Sequence, residues 1–210
     1  MELNLPASPH FGGIWEAAVK SFKHHLRRVV GNELLCLEDL NTLVIEIESI
    51  LNSRPISPLS SDPNDPITLT PGHFLIGESV TSVPELDFTD TPANQLSTWG
   101  YIKKLKQHYW IQWHKDYINE LNNRRKWFTG DIDKGSIVLI KDGNQTPFQW
   151  PMGRVVETHL GPDGVIRTVR IKTETGYLVR NVKKLRPLLD DVPGLAVLRE
   201  KMCKGANEQL

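Results

Sequence analysis

The spacing of apolar residues changes near residue 131, and this change restricts the fold more than any other feature of the sequence. Before it, several segments carry apolar side chains three and four residues apart, which is typical of amphipathic helices. After it, short segments alternate apolar and polar residues between turns that contain Gly, Asn and Pro, as half-buried strands do. The sequence therefore predicts an α+β protein in which helices come first and a small β-barrel follows.

The helical part is predicted to hold three longer helices and one short turn. The longer helices are expected at 14–30, 37–52 and from 97 or 98 to about 122, and the helical turn at 71–76. Gly31 should end the first helix and Pro55 the second. Residues 55–70 contain four prolines among Ser and Asp, which indicates a long exposed loop. Residues 78–96 are polar and acidic, which indicates a linker.

The second part is predicted to form about five short strands. They are expected at 135–141, 152–158, 167–173 and 177–180, with a 3₁₀ turn at 181–185 before the last strand. Arg167, Arg170 and Lys172 cannot all lie on one face of a regular strand, because residues 167 and 170 have opposite parity. Either this strand contains a bulge, or part of the set faces elsewhere.

Composition excludes several classes of protein. The chain has 210 residues, of which 39% are hydrophobic, and this suffices for one large or two small domains. It has no apolar run long enough for a transmembrane helix, and its first residues do not resemble a signal peptide. Cys36 and Cys203 lie far apart and are expected to be free thiols in a reducing compartment. We therefore expect an intracellular protein, nuclear or cytoplasmic, with no membrane partner.

The formal net charge of zero conceals an asymmetry along the chain. Residues 1–96 carry 5 Lys/Arg and 13 Asp/Glu, whereas residues 97–189 carry 17 Lys/Arg and 8 Asp/Glu. This division indicates two modules, of which the second would bind a polyanion such as DNA. Two modules that dock on each other would show the same pattern, and the sequence does not separate these alternatives.

A Gly-Gly pair at residues 12–13 leads directly into the first predicted helix. Glu16, Lys20, Lys23 and Arg27 follow at offsets of four, seven and eleven, which places them on one helical face. A carboxylate is a good ligand for Mg²⁺, and nearby lysines can hold phosphates, so this face suits two-metal phosphoryl transfer. The alternative is an ordinary amphipathic helix, in which the Glu16–Lys20 pair contributes only about 0.2–0.5 kcal/mol.

Several phrases of the sequence resemble integrases of the DDE type, in particular the BEL/Pao branch of retrotransposons, over residues 5–189. The phrases are Pro-His-Phe-Gly-Gly-Ile-Trp-Glu-Ala from Pro9, Leu-Asn-Ser-Arg-Pro from Leu51, Leu-Thr-Pro-Gly-His-Phe-Leu from Leu69, Trp-Pro-Met-Gly-Arg-Val from Trp150, and Arg-Asn-Val-Lys-Lys-Leu-Arg-Pro-Leu from Arg180. The resemblance implies a C-terminal, helical remnant of an RNase H-like catalytic core (1–77), a linker (78–96), a helical connector (97–130), an SH3-like β-barrel (131–189) and a loosely ordered tail (190–210).

The same resemblance implies what the chain would do. Glu16 would be the remaining member of a DDE triad, whose carboxylates bind Mg²⁺ and activate water or a 3′-hydroxyl. The two catalytic aspartates and the zinc-binding module of such integrases are absent, so we expect a fragment of an element polyprotein that binds DNA but holds no Mg²⁺ stably and does not join strands. Its ancestral role would be the insertion of element DNA into a genome. Its partners would be DNA and, where present, the missing integrase part or other integrase subunits.

The candidate DNA contacts are Lys and Arg side chains on the first predicted helix and in the predicted barrel. They are Lys20, Lys23, Arg27, Arg28, Arg154, Arg167, Arg170, Lys172, Arg180, Lys183, Lys184 and Arg186. Aromatic residues near the barrel (Trp127, Phe128, Phe148 and Trp150) could stack on bases or close the barrel core. In a rival hypothesis, Trp127, Phe128 and Trp150 form an aromatic cage, and the barrel is a non-catalytic chromatin module that binds histone peptides.

Overall fold

A computed structural model of the chain describes residues 13–59, 67–81, 84–124, 132–141, 146–163 and 165–188, of which 13–15 and 122–124 are described as backbone only. The helices within these ranges are α1 (Gly13–Val30), α2 (Leu37–Asn52), α3 (Pro71–Ile76) and α4 (Thr98–Arg124). The chain divides into two compact units, Met1–Ile47 with Glu85–Trp113 and Glu48–Pro84 with His114–Leu210. None of the described helices is long and apolar enough to cross a membrane.

The strands of the described chain form two antiparallel sheets. The small sheet pairs β1 (Ser57–Pro58) with β2 (Thr68–Leu69). The larger sheet contains β3 (Ile137–Ile140), β4 (Met152–Leu160), β5 (Ile166–Thr173), β6 (Gly176–Asn181) and β7 (Leu185–Pro187). Its order is β6-β5-β4-β3-β7, so the first four strands form a meander and the last returns beside the first. A 3₁₀ turn (Val182–Lys184) makes that return. The α+β class is confirmed.

The predicted helices are confirmed to within two residues of their ends. Gly31 follows α1 with a φ of +61°, a left-handed conformation that glycine adopts at low cost, and its N–H donates to the Arg27 carbonyl at 3.0 Å. The side chain of Ser97 accepts the Gly100 N–H at 3.2 Å and so caps the start of α4. The short helix α3 was also predicted correctly.

Aromatic side chains hold α1 and α4 together in the first unit. Tyr109 of α4 is fully buried, and its ring lies 6.4 Å from that of Phe22 and 5.9 Å from that of His25, both on α1. The Tyr109 ring also stacks on Trp113, one turn further along α4. Burial raises the pKa of the Tyr109 hydroxyl far above its ordinary value. The middle of α1 is thereby packed against α4 through Phe22 and His25, whereas Lys20, Lys23 and Arg27 are exposed.

The segment before α4 is attached to that helix by side-chain hydrogen bonds. Gln107 donates from Nε2 to the Leu86 carbonyl at 2.7 Å and accepts the Phe88 N–H on Oε1 at 2.9 Å. Lys104 donates to the Thr91 carbonyl at 2.5 Å. Residues 78–96 were interpreted as a linker from their composition, and these contacts were not foreseen.

The prediction of an exposed loop over 55–70 is wrong at both of its described ends. Ser57 and Leu69 are completely buried and pair with each other across β1 and β2. The Tyr117 hydroxyl donates to the Pro55 carbonyl at 2.7 Å. These hydrogen bonds satisfy backbone groups that water would otherwise have to reach, which permits burial. Residues 60–66 lie outside the described ranges.

The larger sheet encloses one apolar core. Its buried members come from the segment before β3 and from four strands: Ile132, Val138, Ile140, Val155, Val169, Ile171 and Leu185. Ile137 and Leu139 point to the other side of β3 and are buried as well, so this strand has no exposed face. The register between β4 and β5 shifts at two places, and at the second of them Arg167 is the additional residue. The bulge offered as one explanation for the parity of Arg167 is therefore present.

Candidate nucleic-acid interface

The polar face of α1 is as the sequence predicts. Glu16, Lys20, Lys23 and Arg27 are all exposed and line one shallow concavity along the helix. Val19, His24 and Arg28 line the same concavity, and an Arg28 guanidinium nitrogen lies 3.4 Å from Nε2 of His24. Four Lys and Arg side chains against one carboxylate make this face cationic, and such a face attracts phosphates.

Glu16 does not have the surroundings of a metal ligand. The described residues contain no group of three or more His, Cys, Asp or Glu side chains that could hold an ion. A two-metal site needs several carboxylates to fix both ions, whereas one exposed carboxylate leaves most of the coordination to water. The residues that the structure describes around Glu16 therefore do not supply the carboxylates that the Mg²⁺ pair of a DDE integrase needs.

Two of the cations predicted for the second part of the chain bind backbone groups beside the larger sheet. Arg154 donates from its guanidinium to the Gly135 carbonyl at 2.7 Å. Arg186 donates to the carbonyls of Lys183 and Leu185 at 2.9 and 2.7 Å. Both side chains are half-buried. These arginines therefore stabilise the turns before β3 and before β7, and part of their hydrogen-bonding capacity is already used within the protein.

Three of the four predicted cations on β5 and β6 lie in different settings, and the fourth, Arg170, is exposed on β5. Arg167 forms an exposed ion pair with Asp163 at 2.6 Å. Arg180 is opposite the buried Val169, so it lies on the core side of the sheet, and it is half-buried. Lys172 is opposite Tyr177 on the other side. The sequence placed these residues in one group, but the structure does not bring them to one surface.

The remaining predicted cations meet a lysine that the sequence analysis missed. Lys183 and Lys184 are exposed in the 3₁₀ turn, and the Lys184 carbonyl accepts the N–H of Lys141 at 2.8 Å. Lys141 is exposed at the end of β3, and its Nζ lies 3.3 Å from Oδ1 of Asn119. Within the described ranges none of these three lysines forms an ion pair, and we call them the turn lysines. The sequence could have identified Lys141 as a candidate DNA contact, because it ends the first predicted strand and a small barrel places that strand beside the last one.

The aromatic-cage hypothesis receives no support from Trp150. Its ring lies 5.0 Å from the ring of His114 and 5.6 Å from that of Tyr117, and its indole N–H donates to Oγ of Ser53 at 3.3 Å. A ring with neighbours on several sides closes a core and does not form an open cage. Burial lowers the pKa of His114 to about 4, so it is neutral at pH 7. Trp127 and Phe128 lie outside the described residues.

Two buried lysines of the first unit, Lys103 and Lys106, belong to a cluster of charges that was not predicted. Lys103 and Lys106 each contact both Glu46 and Glu85, at 2.6–2.9 Å. Burial alone would raise the pKa of Glu46, but the hydrogen bonds from Lys103 and Lys106 reverse this effect and hold the pKa below its usual range. The pKa of Glu85 is lowered for the same reasons. We call these four residues the ion cluster.

Comparison with known proteins gives one match. A family model described as "Family of unknown function (DUF5641)" matches residues 97–188, which run from the cap of α4 to the end of β7. No curated protein and no solved structure matches the chain.

Proposed function

We propose that this chain is part of a BEL/Pao-type retrotransposon integrase and that it binds DNA through phosphate contacts. Residues 1–77 would be the C-terminal end of an RNase H-like core, residues 97–130 a helical connector and residues 131–189 an SH3-like barrel. The ancestral role of such a protein is the insertion of element DNA into a genome, and its location would be nuclear or cytoplasmic.

The turn lysines carry the DNA-binding part of this proposal. Three ammonium groups on adjoining backbone segments give a local positive potential that no acidic partner in the described chain neutralises. Phosphate contacts of this kind position a duplex without selecting a sequence. The exposed cations of α1 offer a second surface with the same chemistry.

The order of the larger sheet supports the barrel assignment. A four-strand meander, a 3₁₀ turn and a fifth strand beside the first are the connections that an SH3-like barrel requires. This similarity concerns the fold, and one fold can carry many functions. The function therefore depends on the cationic surfaces and not on the connectivity.

Strand transfer is not part of the proposed activity of the isolated chain. Removal of members of a catalytic unit costs roughly 10⁴–10⁶ in rate in well-studied triads. Glu16 alone would have to be completed by carboxylates of another integrase segment or subunit. The exposed free thiol of Cys36 agrees with a reducing compartment.

The test is a titration of labelled random duplex DNA with the full chain, followed by fluorescence anisotropy across 50–200 mM salt. We expect log affinity to fall steeply with log salt, and we expect Lys183→Ala with Lys184→Ala to reduce the slope by roughly 2, since each lost phosphate contact reduces it by about 1. The matched control is Lys115→Ala with Lys134→Ala, which removes the same charge from exposed positions elsewhere. Absence of binding at 50 mM salt, or equal slopes for both double variants, would overturn the proposal.

A further inference from the structure

The side of the larger sheet opposite its core is open over β4, β5 and β6. The strand register places Arg154, Lys172 and Tyr177 in one row across these strands, and Glu157, Arg170 and Val179 in the next row. Neighbouring strands are about 4.8 Å apart, so each row is roughly 10 Å long. We call these six residues the outer sheet face.

Exposure of apolar groups distinguishes this surface from an ordinary charged one. Tyr177 is 58% exposed and Val179 is 56% exposed, although their strand neighbour Leu178 is packed against the core. Of the three cations beside them, Arg170 is exposed, whereas Lys172 and Arg154 are half-buried and Arg154 already donates to the Gly135 carbonyl. The carboxylate of this face, Glu157, lies at the limit of an ion pair with Arg170, at 4.0 Å. A surface with exposed aromatic and aliphatic groups among cations favours a ligand that has flat apolar parts and negative charges.

Arg170 holds the Tyr177 ring in place. Its guanidinium carbon lies 4.7 Å from the ring centroid, within the range of a cation–π contact. An aromatic ring fixed in this way, with more than half of its residue exposed, loses less side-chain freedom when a flat group packs on it. An Arg plane beside the ring offers a further stacking surface.

We propose that the outer sheet face binds single-stranded nucleic acid, with Tyr177 stacking on a base while Lys172 and Arg170 contact phosphates. This inference rests on the proposed nucleic-acid binding and names a second substrate form at a second surface. A base in a duplex does not present its face to a protein ring, whereas an unpaired base does. An acidic peptide would satisfy the cations, but it has no flat group that requires an exposed Tyr.

The experiment compares a labelled 20-nucleotide oligothymidine with a 20-base-pair duplex, both titrated with the full chain. We expect Tyr177→Ala to weaken binding of the single strand by about 5- to 150-fold, the range that one lost base–aromatic stack gives. Duplex affinity should change by less than twofold. Tyr177→Phe keeps the ring and should retain the single-strand affinity, and the thermal midpoint of each variant shows whether the barrel remains folded.

A second measurement identifies the contact directly. An oligothymidine with 5-iodouracil at one position should crosslink to Tyr177 on irradiation, because the reaction needs a stacked or adjacent aromatic ring. The crosslink should map to the peptide that contains residues 176–180 and should disappear in Tyr177→Ala. Poly-glutamate of equal charge is the competitor, and it should displace the strand poorly.

The outcomes separate this inference from the proposed function. If Tyr177→Ala binds the single strand like the wild-type chain while Lys183→Ala with Lys184→Ala loses the duplex, the inference is overturned and the proposed function stands. If poly-glutamate competes as well as oligothymidine, the face recognises charge or an acidic peptide, and base stacking is overturned. If neither nucleic acid binds, both proposals are overturned together.

Discussion

The ammonium of Lys106 lies 2.9 Å from Oε2 of Glu46, although 60 residues separate the two in sequence. Lys106 is only 1% exposed, and Glu85 reaches the same ammonium from a third segment at 2.6 Å. A charge this deep is tolerated because two carboxylates compensate it. The ion cluster therefore ties α2, the segment before α4 and α4 itself into one unit.

Lys106→Met should destabilise the folded chain by about 2–3 kcal/mol. Breaking a buried pair usually costs roughly 3–5 kcal/mol, and the value here should be lower because the two carboxylates keep some access to water and retain Lys103. Urea unfolding followed by tryptophan fluorescence measures the change. Lys115→Met is the control, since this exposed lysine on the same helix should change stability by less than about 0.5 kcal/mol. Equal effects of both substitutions would contradict the structural role of the ion cluster.

His114 should make the chain less stable as the pH falls below 6.5. Its pKa is about 4 in the folded chain and should return to about 6.5 on unfolding. The unfolded state therefore binds a proton more tightly between these values, and acidification favours unfolding. From pH 7 to pH 5 the free energy of unfolding should decrease by about 2 kcal/mol on this account.

Urea unfolding at a series of pH values tests this dependence. His114→Gln should flatten the slope between pH 7 and pH 5, whatever its effect on stability at pH 7. His159→Gln changes an exposed histidine of β4 and should leave the slope as in the wild-type chain. A slope that survives in His114→Gln would assign the effect to other groups.

Gly153→Ala should disturb the pairing of β4 with β5. A Cβ at this position would lie 2.7 Å from the Lys172 carbonyl oxygen and 3.0 Å from Cγ2 of Thr173, and a backbone atom in a sheet cannot easily move away. Overpacking of this kind costs about 1–3 kcal/mol. Gly161→Ala is the control, because its nearest contact is the flexible carboxylate of Asp163, which can rotate aside. Thermal unfolding should show the larger loss for Gly153→Ala.

Glu16→Gln should strengthen DNA binding two- to threefold at low salt. Among the described residues that line this concavity, Glu16 is the one carboxylate beside Lys20, Lys23 and Arg27, and the substitution removes its charge. Added Mg²⁺ should weaken binding equally in the wild-type chain and in the variant, because it competes for phosphates as a counterion. Binding that Mg²⁺ enhances only when Glu16 is present would instead show a metal site at this carboxylate.

The helices and strands of this fold could be predicted because the spacing of apolar residues along the chain determines which of the two forms. The ends of α2 and the 3₁₀ turn before β7 agree with the pattern to within a residue. The burial of Ser57 and Leu69 could not be predicted, since it depends on a β1–β2 pairing and on the distant Tyr117 hydroxyl. Proline-rich composition indicates a loop but does not show what covers it.

The candidate sites also differ in whether local sequence or contacts between segments determine them. The face of α1 follows from helical periodicity alone, and the structure reproduces it. In the larger sheet, the sequence could not show that Arg154 and Arg186 bind backbone carbonyls or that Arg167 occupies a bulge. Tyr177 was not among the predicted residues, although strand alternation places its side chain on the other side of β6 from the core-facing Leu178. The contact of Arg154 with Gly135 and the bulge at Arg167 depend on how separate segments pair, which local sequence does not show.

The members of the ion cluster are synthesised at different times, because they lie far apart in the sequence. Glu46 leaves the ribosome 57 residues before Lys103 and 60 before Lys106. At about 5–20 residues per second, the carboxylate is without both lysines for roughly 3–12 s. During that interval the nascent α1 lacks Tyr109, which packs on Phe22 and His25 in the folded chain, and Glu46 of α2 lacks both cations. A translational pause between residues 47 and 103 would therefore lengthen the time in which the apolar side of α1 is open to chaperones or to aggregation.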